Sequence, residues 1–461
     1  MNYLILFSLF LLFGFYLLKL DTNSLKKSNL IIALIIKFFA TISVWFIYTY
    51  YFSNTSLNDI YKYFNDGKIL NESFIKSPIE TLQFIFEGKN NYNIRNITDQ
   101  LIYWTKPNQY GLLNDNQTII LLNFLLCFIS DNNILIQSLI ISSIAFYATF
   151  SLYKTLNSCF SIPHRILFFL MFFNPSYLIW TSGNFKETFI YIGLMFLFSN
   201  LIKLLNDKKS IKINIFVFLN LIFILFCKNY FFIFLLPGII AFYSILYFWK
   251  NNKTYAVSIS YFSFLILIIF AGLFYNPVNF DNTIKDHQKR KLYIKKVNSD
   301  SYEKNALGEN RNIFEVLRFK QRDQQFEAKT QHAHTVVYAP TLDGNPVTFF
   351  KCIPFAFINT LFRPNVIDFR KPLFIPDIMT NFIIWLLLFF SFKYKKPTIL
   401  KDEKIVQSIL LYFTLISLVI IGILVPVLGN IVRYRAPILP LLIISLLLNI
   451  DFKKIPLFNK L

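Results

Sequence analysis

Long apolar runs separated by short polar loops dominate the pattern of this chain. A membrane-spanning helix needs about 20 predominantly apolar residues, and eleven runs approach that length. We predict spans at 2–20, 30–52, 134–154, 165–181, 187–205, 213–228, 230–248, 255–275, 376–393, 405–425 and 436–450. The run 118–130 is too short to span comfortably, and Asp131 follows it at once. We therefore predict a helix lying in the membrane interface there, with a twelfth span as the alternative.

Basic residues mark one side of this predicted bundle. They lie at Lys26, Lys27, Lys154, Arg165, Lys203, Lys208, Lys209, Lys212, Lys250, Lys253, Lys393, Lys395, Lys396, Lys401, Lys404, Lys453, Lys454 and Lys460. With eleven spans and the N-terminus outside, all of them fall on one side, which the excess of lysine and arginine assigns to the cytoplasm. The predicted location is therefore a membrane that borders the cytoplasm, crossed many times.

The same topology divides the chain into three parts. Residues 1–275 form a membrane core that includes an outer loop at 53–133. Residues 276–375 form an extracytoplasmic loop or a small cap, and 376–461 form the C-terminal membrane helices. We thus predict an all-α integral membrane fold with about eleven transmembrane helices and interfacial helices in the first outer loop.

Composition supports the membrane class and argues against several others. Hydrophobic residues make up 55% of the chain and charged residues 15%, whereas soluble domains carry about 25% charged residues. The net charge of +21 is spread over short loops and forms no basic face, so we expect no nucleic-acid partner. The four cysteines are scattered, which predicts neither a disulfide framework nor a zinc site. The first apolar run lacks a basic start and a cleavage site, so we interpret it as a retained helix.

Two acids in the first predicted outer loop are candidates for acid–base chemistry. Asp59 and Asp66 lie seven residues apart, about two helical turns, so on a helix they share a face with Tyr63 between them. A carboxylate beside an aromatic ring at the end of a membrane helix can deprotonate a sugar hydroxyl. The alternative interpretation is that both acids are solvated loop residues or helix caps.

Three further charges lie at predicted outer turns, where positive charge is usually sparse. Lys186 and Glu187 begin a span directly after a Ser182-Gly183 turn, and Lys228 lies between two other spans. These residues are candidate substrate ligands, or else interfacial anchors in which Glu187 complements a helix N-terminus. The break at 174–176 within a span predicts that this half of the bundle encloses a cavity, because irregular backbone at membrane depth needs protein or water to satisfy it.

Two later outer turns carry arginines. Arg363 follows an apolar stretch before the ninth span, and Asn430, Arg433, Tyr434 and Arg435 lie in a tight turn before the last span. Arg433 and Arg435 have no acid nearby in sequence, and a guanidinium fork matches a phosphate or pyrophosphate. We favour a lipid phosphate as their partner; lipid headgroups in general, or the distant acids named above, are the alternatives.

The remaining polar stretch is dense in both charges. The charge pattern of residues 281–330 predicts a solvated loop or a small cap over the cavity, with a polar amphipathic helix from 311 onward. The pair His332 and His334 is a weak metal signal without further ligands. No nucleotide-binding motif is present, which argues against ATP-driven transport and against a cytoplasmic nucleotide-sugar transferase.

Five blocks of the sequence resemble a known family. They are Asp59 before an aromatic helix, the run 118–130, the P-S-x-x-x-W-x-S-G-x-x-K-E block at 175–187, the L-F-R-P block at 361–364 and the N-x-x-R-Y-R-x-P block at 430–437. Together they are similar to the GT-C superfamily of polytopic membrane glycosyltransferases. Within it they resemble RgtA/B/C/D-like and mannosyltransferase-like members of the kind found in Bacteroidetes surface-polysaccharide loci.

The resemblance implies a function on the extracytoplasmic face of a bacterial inner membrane. The donor would be a sugar linked to a polyprenyl phosphate, the acceptor a glycan or a lipid, and the surroundings membrane lipids. Asp59 would be the base and Asp66 the second candidate, although Asn58 stands where the family often has a paired acid. No cofactor is certain, since some relatives use a divalent cation.

The resemblance also implies which residues bind the substrate. Lys186, Arg433 and Arg435 would hold the lipid phosphate, and Glu187 would orient Lys186 or meet a sugar hydroxyl. Tyr63, Lys228, Arg363, Asn430 and Tyr434 complete the predicted substrate-binding set.

Two other functions share parts of this pattern. An O-antigen or polysaccharide polymerase or ligase would use the same lipid-linked substrate on the same side, with a long glycan acceptor. A transporter or flippase for polysaccharide precursors is a third reading, but such proteins often show inverted repeats and charges at the membrane midplane. The sequence shows neither an internal repeat nor a charge pattern of that kind.

The assignment of the base can be tested directly. Replacing Asp59 with Asn should abolish the glycan product while membrane insertion stays intact, because the amide cannot accept the proton of the acceptor hydroxyl. Product would be measured in membranes that contain equal amounts of each protein. Unchanged product would place the base at another residue.

Overall fold

The computed structural model describes residues 26–52, 58–87, 100–104, 114–208, 210–247, 256–274, 313–330, 333–343, 346–369 and 372–456. Within these ranges the regular structure is helical, and extended pairing is confined to two isolated bridges, Val336 with Val427 and Lys395 with Ile450. The all-helical prediction is therefore confirmed for the described part of the chain. The first predicted span, 2–20, lies outside it.

The α-helices are numbered here in chain order. They are α1 (Lys27–Phe46), α2 (Asp59–Lys76), α3 (Pro78–Glu87), α4 (Asp115–Ser130), α5 (Ile134–Cys159), α6 (His164–Phe172), α7 (Pro175–Trp180), α8 (Lys186–Asn206), α9 (Ile211–Cys227), α10 (Asn229–Tyr247), α11 (Ala256–Phe274), α12 (Ile313–Thr330), α13 (Pro346–Phe357), α14 (Ile375–Lys393), α15 (Lys401–Leu424), α16 (Leu428–Arg435) and α17 (Leu439–Asn449). Short π-helical turns extend α1 to Tyr51 and α13 to Phe362.

Six helical segments of the described chain are long and apolar enough to cross a membrane. They are Lys27–Tyr51, Ile134–Cys159, Lys186–Asn206, Asn229–Tyr247, Pro372–Lys393 and Lys401–Leu424. The pair α16 and α17 is bent by 60° and makes a seventh span if it is counted as one. Each of the six coincides with a predicted span, so the chain is built as a multi-pass membrane protein.

The other predicted spans are not among these six segments, and the total of eleven remains a prediction. The predicted span 165–181 is two short helices, α6 and α7, because Asn174 caps a new helix that starts with Pro175. The predicted span 213–228 is α9, which has 17 residues and is shorter than the six. The span 255–275 matches α11 in its bounds.

The apolar run 118–130 lies in a helix that begins earlier than predicted. The side chain of Asn114 accepts a hydrogen bond from the backbone N–H of Asn116 and so starts α4 at Asp115. The helix ends at Asp131 and Asn132, whose φ angles of 51° and 55° turn the chain toward α5. The earlier start places an acid, Asp115, in the first helical turn.

The helix α1 shows how such a segment faces two environments. Its buried positions, including Leu30, Ala33 and Val44, follow a helical spacing of three and four residues. Its opposite face is also apolar yet exposed, with Phe39 and Phe46 among the exposed side chains. A soluble protein rarely exposes so continuous an apolar surface, so this face is suited to lipid.

Polar side chains satisfy the broken segments inside the bundle. Lys37, fully buried on α1, donates from Nζ to Thr181 Oγ1 at 2.5 Å and to the Tyr177 carbonyl at 3.3 Å, at the end of the short helix α7. Arg435, also fully buried, donates to the carbonyls of Thr360 and Arg363. Backbone groups that leave a helix at membrane depth need such partners.

Two close helix contacts require glycine. A Cβ at Gly67 of α2 would lie 2.7 Å from Asn123 Cβ on α4, and a Cβ at Gly422 of α15 would lie 2.5 Å from the Ala356 carbonyl oxygen on α13. Both distances are far shorter than a carbon contact permits. The first glycine therefore lets α2 pack directly on α4, the two helices that carry part of the site described below.

The helix α8 defines two ends of the bundle. Its 21 residues span about 30 Å at 1.5 Å per residue. We call the end at Lys186 the proximal end and the end at Asn206 the distal end. At the distal end, Glu403 accepts hydrogen bonds from Lys396 Nζ at 3.2 Å and from Ser161 Oγ at 3.3 Å, and Asn206 donates to Cys159 Sγ at 3.2 Å.

Cysteine labelling tests the predicted orientation, in which the proximal end faces outward. Cysteines replacing Ile102 and Tyr338, which are 61% and 70% exposed at the proximal end, should react with a membrane-impermeant maleimide in intact spheroplasts. Cysteines replacing Leu400, which is 67% exposed, and Lys453 should react only after lysis, because they lie at the distal end. A Cys159→Ser background removes the partly accessible native thiol. The reverse pattern would place the proximal end in the cytoplasm.

Candidate functional site

Two adjacent charged side chains in the first turn of α8 point in different directions. Lys186 and Glu187 are both buried, and neighbouring residues on a helix lie about 100° apart around its axis. Glu187 is favourable there because a carboxylate complements the positive end of the helix dipole. In the described contacts the two residues have different partners. That Glu187 orients Lys186 or meets a sugar hydroxyl stays a prediction.

Lys186 contacts the helix α4 and the aromatic side chain of Tyr63. Its Nζ lies 2.9 Å from Asp115 Oδ2 and 2.8 Å from Asn116 Oδ1. The same ammonium lies 4.9 Å from the centroid of the Tyr63 ring, and the Tyr63 hydroxyl donates to Asn116 Oδ1 at 3.3 Å. Sequence reasoning missed Asp115. The Asn114 cap directly before it was the available signal for an acid at a helix start.

Glu187 is the partner of two cations from distant turns. Its Oε1 lies 3.7 Å from Lys228 Nζ and 3.7 Å from Arg433 Nε. The three side chains are only 4%, 11% and 11% exposed, so their attraction is weakly screened. A distant acid, Glu187, is thus one partner of Arg433, and the favoured lipid phosphate stays a prediction.

Aromatic rings line the same cluster. Lys228 Nζ lies 4.1 Å from the centroid of the Tyr434 ring and 5.2 Å from that of Tyr230. The Arg433 guanidinium lies 5.0 Å from the Tyr434 ring centroid. Ring faces attract cations electrostatically without neutralising them. The tyrosines therefore hold positive charge in place while leaving it available to an anion.

A further cation, Lys320, reaches the cluster from α12. Its Nζ lies 5.7 Å from the centroid of the Tyr230 ring, on which Lys228 also lies. The side chain as a whole is accessible to solvent, while nearby protein partly desolvates its ammonium. This desolvation lowers the pKa of Lys320 to about 8, with the neighbouring Lys228 and Lys186 ammoniums acting in the same direction. The charge pattern predicted only a polar helix here and did not single out this residue.

We call these residues the basic cluster: Lys186, Lys228, Lys320 and Arg433, with Asp115 and Glu187. Four cationic side chains meet two carboxylates within it, and Asp323 also acts on Lys320. The residues come from α4, α8, the turn before α10, α12 and α16. Among the residues that the structure describes, no group of three or more His, Cys, Asp or Glu side chains could hold a metal ion.

Asp66, the second acid proposed for acid–base chemistry, holds a backbone segment in place in the structure. Its carboxylate accepts hydrogen bonds from the backbone N–H groups of Ile102 at 3.2 Å and Tyr103 at 2.7 Å. Burial raises the pKa of Asp66, and these backbone hydrogen bonds lower it by less. The segment 100–104 is thereby fixed to α2, and the Tyr103 carbonyl in turn accepts from Asn116 Nδ2 at 3.1 Å. Asp66 thus positions Asn116, which contacts Lys186.

The other predicted acid, Asp59, is the first residue of α2, one helical turn before Tyr63. Its side chain lies outside the described part of the structure. Asn58, next to it, donates from Nδ2 to the Tyr48 carbonyl at 3.0 Å and anchors this helix start to α1. The role of Asp59 therefore stays a prediction.

Arg435 is placed apart from the basic cluster. Besides its bonds to the carbonyls of Thr360 and Arg363, its Nη2 lies 4.0 Å from Asp377 Oδ1, and both side chains are fully buried. Trp180 Nε1 donates to the other oxygen of Asp377 at 3.0 Å. Residues two apart on a helix do not share a face, so the prediction that Arg433 and Arg435 act together on one phosphate does not fit this arrangement.

Arg363 and Asn430 complete the predicted set. Arg363 is paired with Asp368, to which its Nε donates at 3.1 and 3.0 Å, and this hydrogen-bonded pair raises the pKa of the guanidinium. Asn430 is half-buried on α16, three residues before Arg433, and its backbone N–H donates to the Val427 carbonyl at 3.0 Å. The structure thus brings Tyr63, Lys186, Glu187, Lys228, Arg433 and Tyr434 together. It places Arg363 and Arg435 elsewhere.

Comparison with protein-family models, with curated proteins and with solved structures finds no match for this chain. The resemblance to the GT-C superfamily therefore remains a prediction from the sequence.

Proposed function

We propose that this protein is a membrane glycosyltransferase that moves a sugar from a polyprenyl-phosphate-linked donor to a glycan or lipid acceptor. The observation that carries the proposal is the sharing of the Glu187 carboxylate by Lys228 and Arg433, at one end of a membrane bundle. In this arrangement one fixed negative charge serves two cations. Counted over the described side chains named above, Lys186, Lys228, Lys320 and Arg433 face the carboxylates of Asp115, Glu187 and Asp323, an excess of positive charge that suits an anionic headgroup.

The chemistry of the cluster suits a phosphate. Guanidinium and ammonium groups are the usual ligands of phosphate oxygens in proteins. A lipid-linked phosphate would arrive along the membrane, and its apolar chain would remain among the exposed apolar faces of the helices. Accordingly, the headgroup would reach the cluster from its edge while the lipid tail stays in the bilayer.

The reaction needs a base and also cationic groups that stabilise the negative charge of the departing phosphate. The acceptor hydroxyl attacks the anomeric carbon, the bond from that carbon to the lipid-phosphate oxygen breaks, and a base takes the hydroxyl proton. Negative charge then builds up on the departing phosphate, where preorganised cations lower the barrier most. We assign that role to Lys228 and Arg433, and we keep Asp59 as the proposed base.

Two alternatives share part of the evidence. A polymerase or ligase for lipid-linked glycans would use the same cluster and would differ in having a long glycan as acceptor. A precursor transporter gains support from Lys37, a buried lysine inside a span, because such residues often mark transport pathways. Its described bonds to Thr181 and Tyr177 account for it as the support of a broken helix. We therefore rank transport lower.

Matched arginine variants test the proposal. Arg433→Gln should lower sugar transfer by about 100-fold or more, since loss of one transition-state ligand costs on the order of 3 kcal/mol, while the amount of folded protein is maintained. Arg322→Gln, at an exposed position on α12, is the control and should transfer normally. Transfer would be followed in membranes supplied with a polyprenyl-phosphate sugar. Normal turnover by Arg433→Gln would contradict the proposal.

The comparison with Arg435 sharpens this test. Arg435→Gln should lower the yield and the melting temperature of the purified protein, because it leaves Asp377 without its cation and frees two buried carbonyls. The two neighbouring arginines should therefore separate, one affecting turnover and the other folding. Equal loss of folded protein in both variants would assign Arg433 a structural role.

A further inference from the structure

The helix α12 is fixed to the bundle by a buried glutamine. Gln321 Nε2 donates to the Ile423 carbonyl at 2.9 Å, near the end of the span α15, and to the Pro340 carbonyl at 3.0 Å. Gln321 Oε1 accepts from the Leu342 backbone N–H at 2.8 Å. One side chain thus joins α12, a membrane helix and the segment 333–343. The position of its neighbour, Lys320, is thereby set.

A second connection joins this segment to the helix that carries Arg433. The Val337 backbone N–H donates to the Pro426 carbonyl at 2.8 Å, and the Leu428 N–H donates to the Thr335 carbonyl at 2.9 Å. Leu428 is the first residue of α16. The described residues 313–330 and 333–343 therefore form a cap that is hydrogen-bonded to the start of α16, and the cap lies over the proximal end.

Lys320 and Lys228 converge on one aromatic ring. Their ammonium groups lie 5.7 and 5.2 Å from the centroid of Tyr230, and Lys320 comes from the cap whereas Lys228 comes from the turn between α9 and α10. Two like charges so close to one ring repel each other unless an anion lies near both. The nearby carboxylates already face cations of the protein: Asp115 contacts Lys186, and Glu187 contacts Lys228 and Arg433. Asp323 acts on Lys320 itself, so three carboxylates face four cations.

We propose that Lys320 is a ligand of the substrate phosphate, contributed by the cap and acting together with Lys228 across the Tyr230 ring. This inference rests on the proposed function and adds a specific residue to its phosphate site. It also gives the cap a function, because substrate binding would then draw α12 and the membrane helices together. The anion is a phosphate attached to a lipid, as in the donor.

The charge state of Lys320 makes the inference measurable. The groups that face it are Lys228, Lys186, Asp323 and the Tyr230 ring. Only the protonated ammonium attracts an anion, so its contribution should be present below its pKa of about 8 and lost as the pH rises through that value. A bound anion favours the protonated form and shifts this loss to a higher pH.

The experiment measures the binding of farnesyl phosphate to the purified full-length protein in a neutral detergent, by titration calorimetry from pH 7.0 to 9.5. The second ionisation of a phosphate monoester has a pKa of about 6, so the charge of the probe is nearly constant over this range. Wild-type affinity should fall severalfold with rising pH. Lys320→Met should bind about tenfold more weakly at pH 7.0, as expected for the loss of one charge-assisted contact, and should show a much flatter profile.

Two variants guard against a purely structural effect. Lys320→Arg keeps its positive charge at pH 9.5 and should bind there as well as at pH 7.0. Lys329→Met, at an exposed position on the same helix, should behave as wild type. If Lys320→Met matched wild type in both affinity and pH profile, the role of Lys320 would be refuted while the proposed function would stand. If wild type itself failed to bind the probe, both would fail.

Discussion

The proximal end of this protein depends on one buried carboxylate. Glu187 meets Lys228 and Arg433, which come from turns far apart in the chain, at equal distances of 3.7 Å. Removing the Glu187 carboxylate would leave both cations buried without compensation, which commonly costs several kcal/mol, whereas removing Arg433 leaves Glu187 paired with Lys228. The first turn of α8, the turn before α10 and the helix α16 are therefore held to one another by electrostatics, and the aromatic rings of Tyr230 and Tyr434 pack around that point.

A second constraint comes from the membrane. A chain that interrupts its helices at bilayer depth must supply partners for the freed backbone groups, and here lysine and arginine side chains do so. Lys37 donates to the end of α7, and Arg435 donates to carbonyls at the end of the π-helical turn 358–362 and just after it. The helix α7 leads into the turn before Lys186, and α16, which carries Arg433, is half of the bent pair α16 and α17. The same breaks that need internal support thus also bring charged residues from separate helices to one place.

Much of the architecture could be predicted from the length of the apolar runs, because an apolar stretch of sufficient length has few alternatives to a membrane helix. The site followed only in part. Lys186, Glu187, Lys228 and Arg433 stood out as charges at helix ends, but their pairing depends on packing between distant helices, which no local pattern encodes. Asp115 seemed an ordinary helix-start residue, and Lys320 lay in a polar helix with many similar charges. Arg433 and Arg435 looked equivalent in sequence, and only the direction of each side chain on α16 separates them.

The central claim is that the basic cluster receives a lipid phosphate. The most direct measurement is a cryo-electron microscopy structure of the full-length protein in nanodiscs that contain a polyprenyl-phosphate sugar. The account predicts phosphate density within hydrogen-bonding distance of both Lys228 and Arg433, with Lys320 on the same density. A donor phosphate bound away from these side chains, with the cluster unchanged, would contradict it.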